Sequence, residues 1–311
     1  MEYRRLGDSD LRVSEICLGT WTTFGGSLAD DSAHELVDVA FELGINFFDT
    51  ANVYSAGRSE EVLGQALASR PREDYIVATK VFAPAPDGGR GLSREQILKQ
   101  IDASLERLGM DFVDLYQCHS WDDDVPLDEQ LGALTEVVDA GKARWIGVSN
   151  WSGEQIRSAV ALAREHGFAK IVSSQPEYSL LEREPEEDVI PASRENEVSQ
   201  IPYSPLAQGV LTGKYAPGAT AGEGTRASAR SEWMQLYRDH VLERVQRLRP
   251  IADGLGLSVA QLSLAWILRE PNVASPIVGA SRPDQLRDNA GASGVALDDA
   301  TLRAIDDALA A

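Results

Sequence analysis

Four side chains with acid–base chemistry stand at or just beyond the ends of short apolar runs in this sequence. Asp49 follows Phe47-Phe48, with Tyr54 in the loop after it; Lys80 follows Tyr75–Thr79; His119 follows Val113–Cys118. A carboxylate, a phenol, an ammonium and an imidazole are the groups that donate, accept or stabilise protons. Ser149 and Asn150 follow Trp145–Val148, Gln175 follows Ile171–Ser174, and Tyr203-Ser204 closes the run from Gln200. Taken singly, each has an ordinary reading: an Asp caps a turn, a Lys is solvated, a His beside a strand is a satisfied structural residue. The recurrence is harder to assign to caps, because successive strand ends would carry all these groups to one mouth of a parallel barrel.

That mouth exists only if the apolar runs are strands alternating with helices, and the chain reads that way. Helical periodicity covers Asp31–Leu43, stopped by Gly44, and Ser59–Leu67, opened by Ser59 as a cap. It continues over Ser93–Leu108, where Ser93 and Gln96 have capping-box spacing, and over Leu127–Ala140, Ser152–Glu165 and Glu187–Asn196. Ile16–Leu18 reads as the first barrel strand and Ser275–Val278 as the last. The Gly/Ala/Thr-rich stretch Gly209–Ala229 is too long for an ordinary connection and reads as a lid or binding loop. Trp233–Leu255, Ser258–Arg269, Pro283–Ala290 and Leu297–Ala310 are expected helices.

About eight strands, each followed by a helix, favour a closed α/β barrel. With no composition break, the expectation is a single domain over residues 1–311, a (β/α)8 TIM barrel with extra C-terminal helices. No GxGxxG follows the first strand, which disfavours an open dinucleotide-binding sheet. Tyr3–Leu6 and Leu11–Val13, joined by Gly-Asp-Ser-Asp, predict an N-terminal β-hairpin plugging one barrel end.

Composition narrows the function. With 43% apolar and 25% charged residues, the chain can build a sizeable core. A formal net charge of −20 argues against nucleic-acid or anionic-membrane partners and requires local clustering of cations for any phosphate-bearing ligand. Cys17 and Cys118 lie in apolar runs without CxxC spacing and read as buried small hydrophobes. The four histidines stand at unrelated positions and suggest no metal. No apolar run approaches the roughly 18 residues of a membrane span. The polar stretch Met1–Asp10 lacks a signal-peptide core, so a cytoplasmic location is expected.

The sequence resembles the aldo-keto reductase superfamily over nearly its whole length. Phe48-Asp49-Thr50-Ala51 with Tyr54, Ala78-Thr79-Lys80, His119, Gly147-Val148-Ser149-Asn150, Gln175 and Tyr203-Ser204-Pro205-Leu206 carry the likeness. Gly279-Ala280-Ser281 with Gln285, Asp288 and Asn289 completes it. Leu11-Arg12-Val13-Ser14, Thr20-Trp21, Thr23-Phe24-Gly25-Gly26 and Arg90-Gly91-Leu92-Ser93-Arg94 are similar to the branch containing voltage-gated potassium-channel β-subunits and their bacterial relatives.

The resemblance implies NADPH-dependent reduction of a small-molecule aldehyde or ketone, with Asp49, Tyr54, Lys80 and His119 as a catalytic tetrad. A free phenol is a weak acid near pKa 10. A neighbouring cation stabilises its phenolate, and Lys80, paired with Asp49, would supply that cation for Tyr54 as proton donor. His119 would hydrogen-bond the carbonyl oxygen. Ser149, Asn150 and Gln175 would hold the nicotinamide carboxamide, with Tyr203 stacked on its ring. Ser204, Pro205, Leu206, Gln208 and Gly209 would cover the pyrophosphate. Lys214, Arg226, Ser281 and Arg282 would surround the adenosine 2′-phosphate, while Asp288 and Asn289 meet the adenine; Gly279 and Gln285 are further implied cofactor contacts. Thr20, Trp21 and Asp49 also fall among the implied cofactor contacts. Trp21, Phe24 and Trp121, with Tyr54 and His119, are expected to wall the substrate pocket.

Two other readings compete. The related branch includes regulatory subunits, so a redox sensor holding NADPH with slow or no turnover is the alternative; the channel subunits carry Asn where this chain has His119. A Schiff-base barrel enzyme with Lys80 as nucleophile would leave Tyr203, Ser149-Asn150 and the loop cations without a role. Asp122-Asp123-Asp124 would disfavour anionic substrates, or is simply a solvated run. The tetramers of the channel-type relatives leave a homo-oligomer open.

Overall fold

The computed structural model describes residues 1–84, 88–222, 225–230, 234 and 236–310. Strands β1 (Tyr3–Arg5) and β2 (Arg12–Ser14) form an antiparallel hairpin with Tyr3 opposite Ser14. Leu6, Leu11 and Val13 are buried among Cys17, Phe47, Leu115, Val172 and Ile201, so the hairpin plugs the barrel floor as expected. Gly7 makes the turn: its φ is +52°, and a Cβ there would collide with the Val172 carbonyl.

The barrel strands are β3 (Cys17–Gly19), β4 (Phe47–Asp49), β5 (Ile76–Val81) and β6 (Val113–Cys118). They continue with β7 (Ala143–Ser149), β8 (Ile171–Gln175), β9 (Ser199–Gln200) and β10 (Ile277–Val278). All pair in parallel, in the order β10-β3-β4-β5-β6-β7-β8-β9. The sheet closes through the segments flanking its outer strands: Gln200 N donates to Asn272 O, Ala274 N to Gln200 O and Ile277 N to Pro202 O, each at 2.8 Å. Successive residues alternate between inside and outside. On β4, β5 and β6, Phe47, Ala78 and Leu115 point into the barrel, whereas Phe48, Val77 and Tyr116 pack under the helices. The same alternation sends Asp49, Lys80 and Gln117 inward.

Helices α1 (Asp30–Glu42), α2 (Arg58–Leu67), α3 (Arg94–Leu108), α4 (Leu127–Asp139), α5 (Gly153–His166) and α6 (Val189–Glu195) cover the strands. Next come α7 (Arg226–Arg230), α8 (Asp239–Gln246), α9 (Arg249–Gly254), α10 (Val259–Leu268), α11 (Pro283–Ala290) and α12 (Asp299–Ala310). Capping chemistry places several starts. Ser93 accepts from Gln96 N, and Ser152 with Gln155 and Ser258 with Gln261 form complete capping boxes.

The structure departs from the sequence reading at four places, each for a local reason. Ser59 does not cap α2; Gly57 does, and Ser59 Oγ donates instead to Phe24 O at 2.7 Å. The last two strands are shorter than expected because Pro202 and Pro276 have no N–H for a ladder. The expected helix Trp233–Leu255 divides into α8 and α9, with Pro250 in the first turn of α9; Trp233 lies outside the described residues. Within the expected loop Gly209–Ala229, a 3-10 turn at Ala207–Thr212 and α7 supply regular structure, and Glu223 and Gly224 lie outside the described residues. Among the described residues no single helix is long and apolar enough to cross a membrane.

Candidate active site

The ends of β4 and β5 bring an acid and a base together inside the barrel mouth. Lys80 Nζ donates to Asp49 Oδ1 at 2.5 Å, to Thr50 O at 2.8 Å and to the Tyr54 hydroxyl at 3.2 Å. Three acceptors use the three N–H donors of an ammonium. Tyr54 accepts from Lys80, so its own O–H remains available to donate. Tyr54 opens a short turn, Tyr54–Gly57, in which Ser55 and Ala56 have φ of 48° and 53°. That strained backbone is held by Ser55 and Ser59, which both donate to Phe24 O. Behind it, the fully buried Glu60 of α2 accepts from Thr79 Oγ1 and from Arg107 Nε, each at 2.6 Å. This tie holds α2 against α3 and against the strand carrying Lys80.

The electrostatics of the cluster are set by burial and one cation. Burial pulls Lys80 down, but the Asp49 carboxylate and the Tyr54 oxygen outweigh it and leave the ammonium firmer than usual. Burial pushes the Tyr54 phenol up; Lys80 opposes the rise, Asp49 adds to it, and the net direction is upward. The expected lowering by Lys80 is therefore real as a contribution and smaller than the cost of burying a phenolate. His119, on the far side, is pushed down to about 3 by burial and by Lys80. Its ring meets Tyr54 edge-on at 5.7 Å, and its buried Nδ1 has no hydrogen-bond partner among the described residues. A neutral imidazole has one N–H and one acceptor to offer a ligand.

Asp49 has a second set of partners that the sequence reading missed. Its Oδ2 accepts from Gln175 Nε2 at 3.0 Å and from Gln117 Nε2 at 3.4 Å, while Gln175 Nε2 also reaches Gln117 Oε1 at 3.3 Å. Gln117 was legible as a polar residue inside an apolar strand, two positions before His119 on the same face. Next to it, Ser149 Oγ donates to Gln175 O at 2.8 Å, and Asn150 links Ser149 to the Tyr203 hydroxyl, 3.0 Å away. Thr20 Oγ1 bonds Thr50 Oγ1 at 3.0 Å, so the first strand end joins the same network.

A cleft of about 530 Å³ runs outward over the ends of β9 and β10. Ser204, Pro205, Leu206, Gln208, Gly209, Lys214, Arg226, Gly279, Ser281, Arg282, Gln285, Asp288 and Asn289 line it, which brings this part of the expected cofactor set together; Trp21 is not among the lining residues. The backbone turns left-handed at Ser204, Ala207 and Gln208. Turns of this kind present successive N–H groups as a cradle for an anion. Lys214, Arg226 and Arg282 gather at this cleft in a chain of net charge −20. The donor set fits a phosphate-bearing ligand. Arg282 is also engaged by Asp284 at 3.1 Å, an exposed pair that is cheap to break. Gln285 Oε1 accepts from Ser281 N and Oγ, and Asp288 Oδ2 from Ser258 Oγ.

Of the expected pocket walls, Trp21 is 41% exposed and Trp121 is partly exposed, packed on Trp151 at 4.7 Å between ring centres. Phe24 is a correction: its side chain has no exposed surface and belongs to the core behind the mouth. The apolar Phe ring fills the space under α1 and α2, and only its carbonyl serves the site. Asp122 is a second correction. Its carboxylate is buried, accepts from Leu92 N at 2.7 Å and Asp124 N at 3.0 Å, and joins the loops after β5 and β6. Cys17 and Cys118 are free and buried.

The parallel barrel thus carries an acid–base cluster at its mouth and an anion-suited cleft beside it, the arrangement of an enzyme site. The family model for the aldo/keto reductase family matches residues 15–310, and the chain belongs to that family, whose members generally bind NAD(P)H. Among curated relatives, a probable voltage-gated potassium channel subunit beta of Arabidopsis thaliana is 39% identical over 296 residues, covering 93% of this chain and 90% of that protein. A protein of the same description from Oryza sativa subsp. japonica has the same identity and coverage.

Proposed function

We propose that this protein is an NADPH-dependent carbonyl reductase that converts a small aldehyde or ketone to its alcohol in the cytoplasm, with Tyr54 as general acid. The observation that carries the reading is the Lys80 ammonium, 2.5 Å from Asp49 and 3.2 Å from the Tyr54 hydroxyl, beside a cation-lined cleft. When bound, the dihydronicotinamide supplies the hydride. Ser149, Asn150, Gln175 and Tyr203 would hold its amide end, the segment Ser204–Gly209 its pyrophosphate, and Lys214 with Arg226 its 2′-phosphate. Arg282 would join them at the 2′-phosphate, and Gln285, Asp288 and Asn289 would meet the adenosine.

The neutral His119 donates its N–H to the carbonyl oxygen and orients it. The Tyr54 phenol, kept protonated by burial, stands ready to give its proton to that oxygen as negative charge develops there. The resulting phenolate lies against the Lys80 ammonium, which Asp49 holds in place, and takes a proton back from solvent. Trp21 and Trp121 border the opening. The two free cysteines suit a reducing compartment. Steady-state NADPH oxidation on a panel of aldehydes and ketones tests the reading, and no turnover with any of them counts against it.

The names of the relatives support a second reading, a regulatory subunit that binds NADPH and turns it over slowly or not at all. Tight NADPH binding without carbonyl-dependent oxidation would favour it.

A further inference from the structure

Gln117 has no place in the chemistry above, yet it is buried without exposed surface near the C-terminal end of β6. An amide there must find partners or cost stability. Its donor end faces Asp49 Oδ2 at 3.4 Å and its acceptor end faces Gln175 Nε2 at 3.3 Å. Gln175 Nε2 also meets Asp49 Oδ2 at 3.0 Å, so the three side chains close a triangle. We propose that Gln117 is a positioning residue: it locks Asp49 and Gln175 into one unit, which sets how much of the Lys80 charge reaches Tyr54 and which end of the Gln175 amide faces the cleft.

Two consequences follow from the geometry. Asp49 carries its negative charge on two oxygens, one bonded to Lys80 and the other to the two amides. Donors on Oδ2 draw charge away from Oδ1, so Lys80 is neutralised less and acts more strongly on the phenol. Removing the Gln117 donor returns that charge to the Lys80 side and makes Tyr54 a weaker acid. Secondly, both bonds of Gln175 use Nε2, which leaves its Oε1 for a ligand donor such as a carboxamide NH2. Without Gln117 the Gln175 amide loses one of the two acceptors that fix this orientation and keeps only Asp49 Oδ2.

The inference rests on Tyr54 being the proton donor, but its test does not require turnover. The groups facing Tyr54 are Lys80 from β5, Asp49 from β4, His119 just after β6 and Tyr203 beyond β9, with Cys17 of β3 near Asp49 and Lys80. Gln117→Met keeps the size of the side chain and alters none of these groups. In cofactor-free protein carrying ¹³Cζ-tyrosine, with the Tyr54 signal assigned by Tyr54→Phe, the onset of phenol ionisation should move up by roughly half a unit to one unit. NADPH, followed by tryptophan fluorescence, should bind several-fold more weakly. An unmoved or lowered onset in a folded Gln117→Met protein overturns the proposal, because a residue that only fills space would leave the phenol unaffected. Should the variant not fold, the unmodified protein decides: the Gln117 and Gln175 amide protons should exchange slowly and shift as Tyr54 ionises, and rapid exchange or unresponsive signals would refute the triangle. Failure of the reductase reading itself would show separately, as absent carbonyl turnover by the unmodified protein.

Discussion

Arg226 donates to Thr22 Oγ1 at 3.0 Å and holds its guanidinium 5.5 Å from the centre of the Trp21 ring. The loop after β9 is thereby fastened to the loop after β3, on the opposite side of the cleft. A cation in that position serves both as a phosphate partner and as a clasp. Arg226→Ala should weaken NADPH binding by roughly 10- to 100-fold, the worth of one charge-assisted hydrogen bond or two. NADH, which lacks the 2′-phosphate, should lose much less. Side-by-side fluorescence titrations measure both, and equal losses would assign Arg226 to the clasp alone.

The neutral state of His119 has a pH signature. Its folded value, about 3, lies below the ordinary 6.5 of an exposed imidazole. Between those values the unfolded chain binds a proton that the folded one refuses, so stability is intact above about pH 6.5 and falls as pH drops toward 3. The loss should reach on the order of 2 kcal/mol at pH 5. Denaturant melts at pH 7 and pH 5 should show it in the unmodified protein, and His119→Asn should remove that part of the difference.

Asp49 and Lys80 form a buried ion pair, 3% and 0% exposed at their side chains. Lys80→Met strands the carboxylate, with a cost of about 3–5 kcal/mol by thermal or denaturant unfolding. Adding Asp49→Asn to that variant removes the stranded charge and should return a good part of the stability without returning activity. A double variant no more stable than the single one would mean that the pair is not coupled.

Asp122 predicts a change at the mouth from outside the chemistry. Removing its carboxylate leaves the buried N–H of Leu92 without its partner, at about 1–3 kcal/mol. Asp122→Ala should lower the melting temperature and raise KM for the carbonyl substrate more than it lowers kcat. An unchanged melting temperature would contradict the burial of that carboxylate.

The strand ends were readable in sequence because an apolar run that stops at a charged residue marks both a barrel strand and the mouth it opens on. Asp49, Lys80 and His119 were placed that way, and the helix start at Ser93 followed from local capping chemistry. Phe24, Ser59 and Asp122 were misassigned because their roles depend on contacts distant in sequence. Ser59 abandons its own helix for Phe24 O, and Asp122 reaches back to Leu92. Glu60 and Gln117 were overlooked for a related reason. A Glu in an amphipathic helix looks solvated until Arg107 and Thr79 are seen around it, and a lone Gln in a strand gains meaning only when Asp49 and Gln175 close on it.

The central claim is that the phenol of Tyr54, beside the Lys80 ammonium, delivers the proton during carbonyl reduction. Rapid mixing of the Tyr54→Phe protein, saturated with NADPH, with an aldehyde that the unmodified protein reduces tests it most directly. The rate of NADPH oxidation should fall by roughly 10²- to 10⁴-fold, the range for loss of a positioned general acid, while the NADPH dissociation constant stays unchanged. A Tyr54→Phe protein that oxidises NADPH at the unmodified rate would contradict the account.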